Sequence, residues 1–380
     1  MSKMSASQPV TQGSGDRIVS AETILISIPF REGAQPVWSF GGTPKNTFDT
    51  LLVRIETEAG IIGWGEAFSR GEDATLAALI SSRVLPLVVG RDASQISKIK
   101  HEIEFQLQNF GRNGSLNYGV SAVDIALWDI AAKRAGVPLV KLLGGSFRSE
   151  VDVYASLLRY GTADGVVAAC EDAIARGYRA IKLHEIEVDL IEIAAEACAG
   201  RARVMADVNC PWSPAVAIRH NQSLQTSSLH WLEEPVWPPE DYIGLARVRA
   251  ASSTPIAAGE NAGGLSEFVA MVQANAIDIA QPDIAKSGGV TELRRIVAFC
   301  EANAIRFEPH CALFGPGQIA TVHLAASIQS APMLERLFCD FEAELYDGAT
   351  IPKNGVVSVP SSPGLGIDPN PDVIARYRVR

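Results

Sequence analysis

Between residues 204 and 283 the chain reads VMADVN (204–209), HWLEEP (230–235), IAAGEN (256–261) and IAQPD (279–283), four short apolar runs that each reach an acidic side chain. The acids Asp207, Glu233, Glu260 and Asp283 stand 26, 27 and 23 residues apart, and His310 and Glu335 continue the series at 27 and 25. One strand, one helix and two loops occupy about that length. A barrel of parallel strands alternating with helices gathers such strand ends at one mouth, where the catalytic groups of that architecture sit. The spacing therefore predicts an α/β barrel with an enzyme site at its mouth.

Working outward, strands are expected at 151–158, 180–184, 204–209, 230–235, 255–261, 277–283, 306–310 and 332–337, with helices such as 165–175 and 290–302 between them. Eight strands at that regular spacing favour closure into one parallel barrel. Upstream the pattern changes. Strand-like segments at 17–30, 50–57 and 61–67 precede a helical stretch, SAVDIALWDIAAKRA (121–135), in which Val123, Ala126, Leu127, Ile130 and Ala131 share one face. The second and third strands join through Glu58, Ala59 and Gly60, a hairpin turn. The expected organisation is a flexible tail at 1–16, an α+β unit at 17–145, the barrel at 146–345 and a segment at 346–380 that packs back on the first unit.

Composition limits the function classes. The chain has 380 residues, 47% of them hydrophobic and 20% charged, and a formal charge of −10. A sequence-independent nucleic-acid binder needs excess Lys and Arg, so that class is excluded. Apolar runs stay well short of the roughly 20 residues that span a bilayer. The polar start MSKMSASQPVTQGSGD lacks the apolar core of a secretion signal, and cytoplasmic residence is the expectation. Six scattered cysteines without a CxxC pair indicate neither a disulfide frame nor a zinc site.

The mouth residues carry the chemistry. A single strand-end carboxylate commonly caps a helix or pairs with Arg, but Asp207, Glu233 and Glu260 end three consecutive strands. Oxygen ligands in that number suit Mg2+. His310 and Asp283 fall on neighbouring strands, where the carboxylate fixes one ring nitrogen and leaves the other as base or acid. Lys182 and His184, two apart in AIKLHE, face the same side of a strand. With both at the mouth, Lys182 is expected to disfavour the imidazolium of His184 and keep it neutral near pH 7. Glu335 is placed to donate to or orient a substrate oxygen. The loops 31–46, with Trp38 and Phe40, and 68–73 read as lids.

These residues carry a family resemblance. The motifs are SAVDIALWDIAAKRAGVPLVKLLGG (121–145), Lys182 with its partner two residues on, DVN, WLEEP, GEN, QPDIAKSGG, His310, LER (334–336) and GLG (364–366). Over nearly its whole length from about residue 17 the chain resembles the enolase superfamily, and within it the mandelate racemase subgroup. The resemblance implies a modified TIM barrel, (β/α)7β, with an α+β capping domain formed by the N-terminal part and the C-terminal tail. It implies Mg2+ held by Asp207, Glu233 and Glu260, with Glu233 rather than Glu234 as the ligand from LEEP. It also implies abstraction of the proton α to a carboxylate, giving an enediolate. His310 with Asp283 then matches the dyad, Lys182 the lysine that neutralises the substrate carboxylate, Glu335 a group bonded to that carboxylate, and Asn209 a polar substrate contact.

One position departs from the pattern: many relatives carry a second lysine where this chain has His184, so facial preference and substrate do not transfer from them. The reaction expected is dehydration of a sugar acid, aldonate or aldarate, to a 2-keto-3-deoxy acid; the alternatives are racemisation or epimerisation and, from another class, a non-catalytic binding barrel. Arg31, Trp38, Lys45 and Arg70 are the capping-loop candidates for substrate contact. The partner is a small carboxylate, with neither nucleic acid nor membrane involved, and a homo-oligomer, dimer or octamer, is expected by analogy with relatives.

Overall fold

The computed structural model of the protein describes residues 15–31, 46–69 and 73–379. The polar tail at 1–14, the loop candidates Trp38, Phe40 and Lys45, and Arg70 lie outside the described residues.

Three antiparallel strands open the chain: β1 (Ile18–Pro29), β2 (Thr47–Thr57) and β3 (Ile62–Ala67). The turn between β2 and β3 is the expected hairpin, closed by Thr57 N–H donating to Ile61 O, with Gly60 at φ +77°. The sheet packs on the helix Ser115–Arg134, which begins six residues before the segment read from sequence. Fourteen of that helix's twenty residues are buried, among them Ser121, Asp124 and Asp129. It is covered on both sides, by the cap sheet and by the barrel, which is why a single amphipathic face describes only half of it.

The barrel strands are β4 (Glu150–Ser156), β5 (Ala180–Leu183), β6 (Arg203–Asp207), β7 (Trp231–Glu233), β8 (Ile256–Ala258), β9 (Ile279–Ala280), β10 (Arg306–Phe307) and β11 (Leu334–Leu337). Neighbours pair in parallel from β10 through β4 to β11, and a helix fills each of the seven intervals, which is the (β/α)7β arrangement. A last short strand, β12 (Val356–Ser358), pairs antiparallel with β4. The strands are shorter than read from sequence because the ladder stops where the mouth begins. Glu260, Asp283 and His310 stand past the ends of their strands, and Asn209 and Glu234 take φ values of +53° and +46°.

Between β10 and β11 no ladder hydrogen bonds form. Two carboxylates bridge the seam instead: Glu308 accepts from Met333 N at 2.8 Å and Glu335 from Cys311 N at 2.8 Å.

Side chains alternate along the strands, so the barrel interior is layered. The lower layer, Tyr154, Ala180, Met205, Trp231, Ala257, Ile279 and Met333, forms its own buried cluster. Two residues further along, the same strands present Ser156, Lys182, Asp207, Glu233, Gln281 and Glu335, every one at 1% exposure or less. The period-two rule thus converts an apolar plug into a polar floor in a single step.

The cap is tied to the barrel by polar groups of its long helix and of β3. Gly288 N donates to Ser121 Oγ at 2.8 Å, Thr291 N to Asp124 at 2.9 Å, and Asn117 Nδ2 to the carbonyls of Gly263 and Lys286, both at 2.7 Å. A Cβ at Gly289, whose φ is +78°, would come within 2.4 Å of Asp124 Oδ1. The C-terminal segment returns to the cap: Leu365 N donates to Asp129 at 2.8 Å, and Val379 N to Leu25 O at 2.8 Å. No helix among the described residues is long and apolar enough to cross a membrane.

Candidate active site

Asp207 and Glu233 are register partners at the ends of β6 and β7, and Glu260 follows β8. Their ligand oxygens all lie within 4.8 Å of one another. Each carboxylate is held by its own supports. Asn209 donates its backbone and side-chain N–H groups to Asp207 at 2.9 and 3.0 Å, and Trp231 Nε1 and Gln281 Nε2 each reach Glu233 Oε2 at 2.8 Å. Lys182 Nζ sits between the strands, 2.7 Å from Glu233, 2.9 Å from Glu335 and 3.3 Å from Asp207.

The electrostatics fit a cation. Burial opposes ionisation of Glu233 and, with the neighbouring carboxylates, pushes its pKa up to about 7 against the pull of Lys182. Burial works equally against Asp207, yet Lys182 and His184 hold it well below the usual carboxylate range. Burial disfavours charge on Lys182 too, but Glu233 and Glu335 prevail and raise its pKa well above the ordinary value. The ligand oxygens of Asp207, Glu233 and Glu260 converge on one point, and oxygen-only donors select a hard divalent ion such as Mg2+ over zinc.

Two histidines flank this cluster. His184 turns Nδ1 to Leu157 O and Nε2 to Asp207 at 3.4 Å, while His310 turns Nδ1 to Asp283 at 2.6 Å and Nε2 to Glu260 at 3.1 Å. The expected pairing of Asp283 with His310 is thus present, across an isolated parallel bridge between their backbones. The expected dominance of Lys182 over the charge of His184 is not. Burial and Lys182 lower its pKa, but the hydrogen bond and charge of Asp207 outweigh them and the net shift is upward. Sequence proximity pointed to Lys182; the fold supplies the carboxylate.

Glu335 accepts from Ser156 Oγ at 2.7 Å, from Lys182 and from Cys311 N. Burial would raise its pKa, but Lys182 and His310 bring it down to about 2, so it is an ionised acceptor that fixes Lys182. Asn209 Oδ1 is buried and has no hydrogen-bond partner, an acceptor left open at the mouth. Arg31 is not brought into the cluster: its guanidinium donates to Phe341 O at 3.2 Å.

Residues 30–144 match the mandelate racemase/muconate lactonizing enzyme N-terminal domain, and residues 165–373 the enolase C-terminal domain-like family. The chain belongs to this family. A 3,6-anhydro-alpha-L-galactonate cycloisomerase of Streptomyces coelicolor is 33% identical over 329 residues, covering 84% of this chain and 89% of the relative. Among solved structures, a racemase from Streptomyces coelicolor A3(2) with bound magnesium superposes with a TM-score of 0.84 at 31% identity, over 95% of this chain and 100% of that one. An L-talarate dehydratase from Polaromonas sp. JS666, complexed with Mg and L-glucarate, gives 0.83 at 27% identity, over 97% and 98%. Members of the family therefore include dehydratases, cycloisomerases and racemases, and the fold is common to them.

In this family member three supporting residues escaped the reading from sequence. Ser156 and Gln281 each lie two positions beyond a lower-layer residue, the same offset that marks Lys182 and Asp207, so the alternation itself was the signal. Lys286, three residues after Asp283, is 4% exposed, with Nζ 3.1 Å from Asn261 Oδ1, 3.9 Å from Glu260 and 4.6 Å from the centre of the Phe68 ring. It brings a second buried cation to the Glu260 side of the mouth.

Proposed function

We propose that the protein is a Mg2+-dependent sugar-acid dehydratase, removing the hydrogen α to the carboxylate of an aldonate or aldarate and expelling the β-hydroxyl as water. The observation that carries this reading is the placement of two imidazoles at opposite flanks of one acidic triad, with Asp283 fixing the ring of His310. Asp207, Glu233 and Glu260 would hold the ion. When bound, Mg2+ supplies positive charge for the oxygen anion that develops as the α-hydrogen leaves.

The chain's own groups complete the chemistry. Lys182, immobilised by Glu335 and itself a buried cation, attracts the substrate carboxylate. As an imidazole takes the α-proton, the C–H pair forms a C=C bond to the carboxylate carbon and a π pair moves onto oxygen. The β C–O bond then breaks with a proton supplied by the imidazolium of His310, whose Nε2 faces the cluster. As it breaks, the carboxylate is restored and the pair closes the Cα=Cβ bond. The resulting enol tautomerises to the 2-keto-3-deoxy acid. Asn209 Oδ1, open and buried, favours a hydroxyl-bearing substrate.

The same two histidines support a second reading, racemisation or epimerisation, in which one flank removes the proton and the other returns it. Incubating aldonates and aldarates with enzyme and Mg2+ and trapping 2-keto acids with semicarbazide separates the two. A semicarbazone is the expected product; α-deuterium exchange or inverted substrate without keto acid would assign the second reading.

A further inference from the structure

A surface depression lies at the end of the barrel opposite the acidic mouth, where the strands begin. It is open to solvent, has a volume of about 1070 Å3 and is lined by Arg179 before β5, Arg201, Arg203 at the start of β6, His230 before β7 and Arg306 at the start of β10, the four arginines being exposed. Of these four arginines Arg201 and Arg306 pair with Glu171 and Glu308, and Glu192 and Glu196 also line the space, so the cations without a salt bridge among the described residues are Arg179 and Arg203.

The arginines are incompletely satisfied. Arg306 shares Glu308 at 3.0 Å and approaches His230 Nε2 at 3.1 Å, and Arg201 is paired with Glu171 at 2.5 Å. Arg203 has turned its Nη2 to the sulfur of Met333 at 3.2 Å, and Arg179 has no carboxylate partner among the described residues. His230 registers the resulting field: burial, with Arg306 and Arg203 alongside, brings its pKa down to about 4, so at neutral pH it stays uncharged beside them. The guanidinium forks of Arg179 and Arg203, with no carboxylate in salt-bridge reach among the described residues, match the oxygens of a tetrahedral oxyanion. The hydroxyls of Thr226, Ser227 and Ser228 line the same space, which is larger than a free phosphate needs.

We propose that this basic depression binds a phosphoryl anion, free or carried on a small metabolite, at a site separate from the acidic mouth. Here the ligand replaces the missing counter-charges of Arg179 and Arg203 and bridges the starts of β5, β6 and β10. Occupancy would stabilise the fold without entering the mouth.

The test is a titration of the full-length protein with inorganic phosphate at ionic strength held constant with chloride, followed by melting temperature and by the ring signals of His230. Saturable binding is expected, with an upward shift of the melting temperature and of the His230 titration. Arg179→Gln and Arg306→Gln should each weaken binding about tenfold or more while Mg2+ binding at the mouth is unchanged. Arg179 is exposed and unpaired, so its variant separates lost binding from lost folding. Glycerol 3-phosphate as a second probe distinguishes the sources: tighter binding than phosphate assigns a phosphate ester, equal binding the free anion. Absence of saturation, or full binding in both variants, would overturn the proposal.

Discussion

Glu66, at the end of the cap sheet, accepts the backbone N–H of Gly317 at 2.9 Å, and that of Gly315 at 3.0 Å, through the same oxygen. The two glycines open the helix Pro316–Ala326, which follows the loop carrying His310. A cap carboxylate thereby sets the first turn beyond a barrel catalytic candidate, at the positive end of that helix. Any Cβ at Gly315 would lie 2.7 Å from Glu66, so the approach is as close as the backbone permits. Glu66→Ala should destabilise the protein by about 3 kcal/mol, the range for losing two hydrogen bonds to a buried charge. Urea unfolding checks this, and an unchanged midpoint would refute the coupling.

His310→Asn should lower turnover by about a thousandfold or more while Mg2+ binding persists, because a general acid or base is lost and the ligand oxygens remain. Calorimetry with Mg2+ and single-turnover kinetics measure the two separately. Retained dehydration would remove His310 from the proposed mechanism.

Mg2+ affinity should rise with pH. Burial lowers the pKa of His310, but Glu260, Glu335 and Asp283 overcome it and lift the value to about 9, so below that pH the imidazolium pairs with Glu260. A divalent ion on Glu260 removes that partner and adds like charge, which lowers the pKa and releases a proton. The affinity gain should therefore run through the neutral range and level off above about 9. Calorimetry in buffers of different ionisation enthalpy reports the proton released; a heat independent of buffer contradicts the linkage.

His323 predicts acid sensitivity at the domain junction. Its ring is fully buried, Nδ1 accepting from Val140 N at 3.3 Å and Nε2 donating to Leu365 O at 3.0 Å, so the neutral form is the one that fits. Burial holds its pKa at about 4, below the ordinary value of about 6.5. The unfolded chain takes up the proton first as pH falls, so this contribution to stability is complete above about 6.5 and declines toward pH 4, by about 3 kcal/mol at most. Denaturant unfolding of wild type and His323→Gln at several pH values tests it, the variant showing a flatter acid limb.

Much of this was legible in the chain because strand ends recur at a fixed interval and side chains alternate with a fixed period. Those two regularities located Asp207, Glu233, Glu260, Asp283, His310 and Glu335, and placed Lys182 with His184 on one face. What they do not encode is the partner met across the barrel. The upward shift of His184 comes from Asp207 on the next strand, and the burial of Ser121, Asp124 and Asp129 comes from backbone groups far along the chain. Arg31 was read as a substrate contact from its charge in a loop, yet charge does not say which carbonyl lies within reach.

The seam between β10 and β11 has a consequence for redesign. Glu335 both immobilises Lys182 and stitches the last barrel strand to the loop of Cys311. A substitution there intended to alter selectivity would also loosen the cylinder at its one unlaced join, so variants at this position confound changed chemistry with changed shape. Engineering the mouth is better begun at Lys286, whose Nζ bonds Asn261 outside the strands.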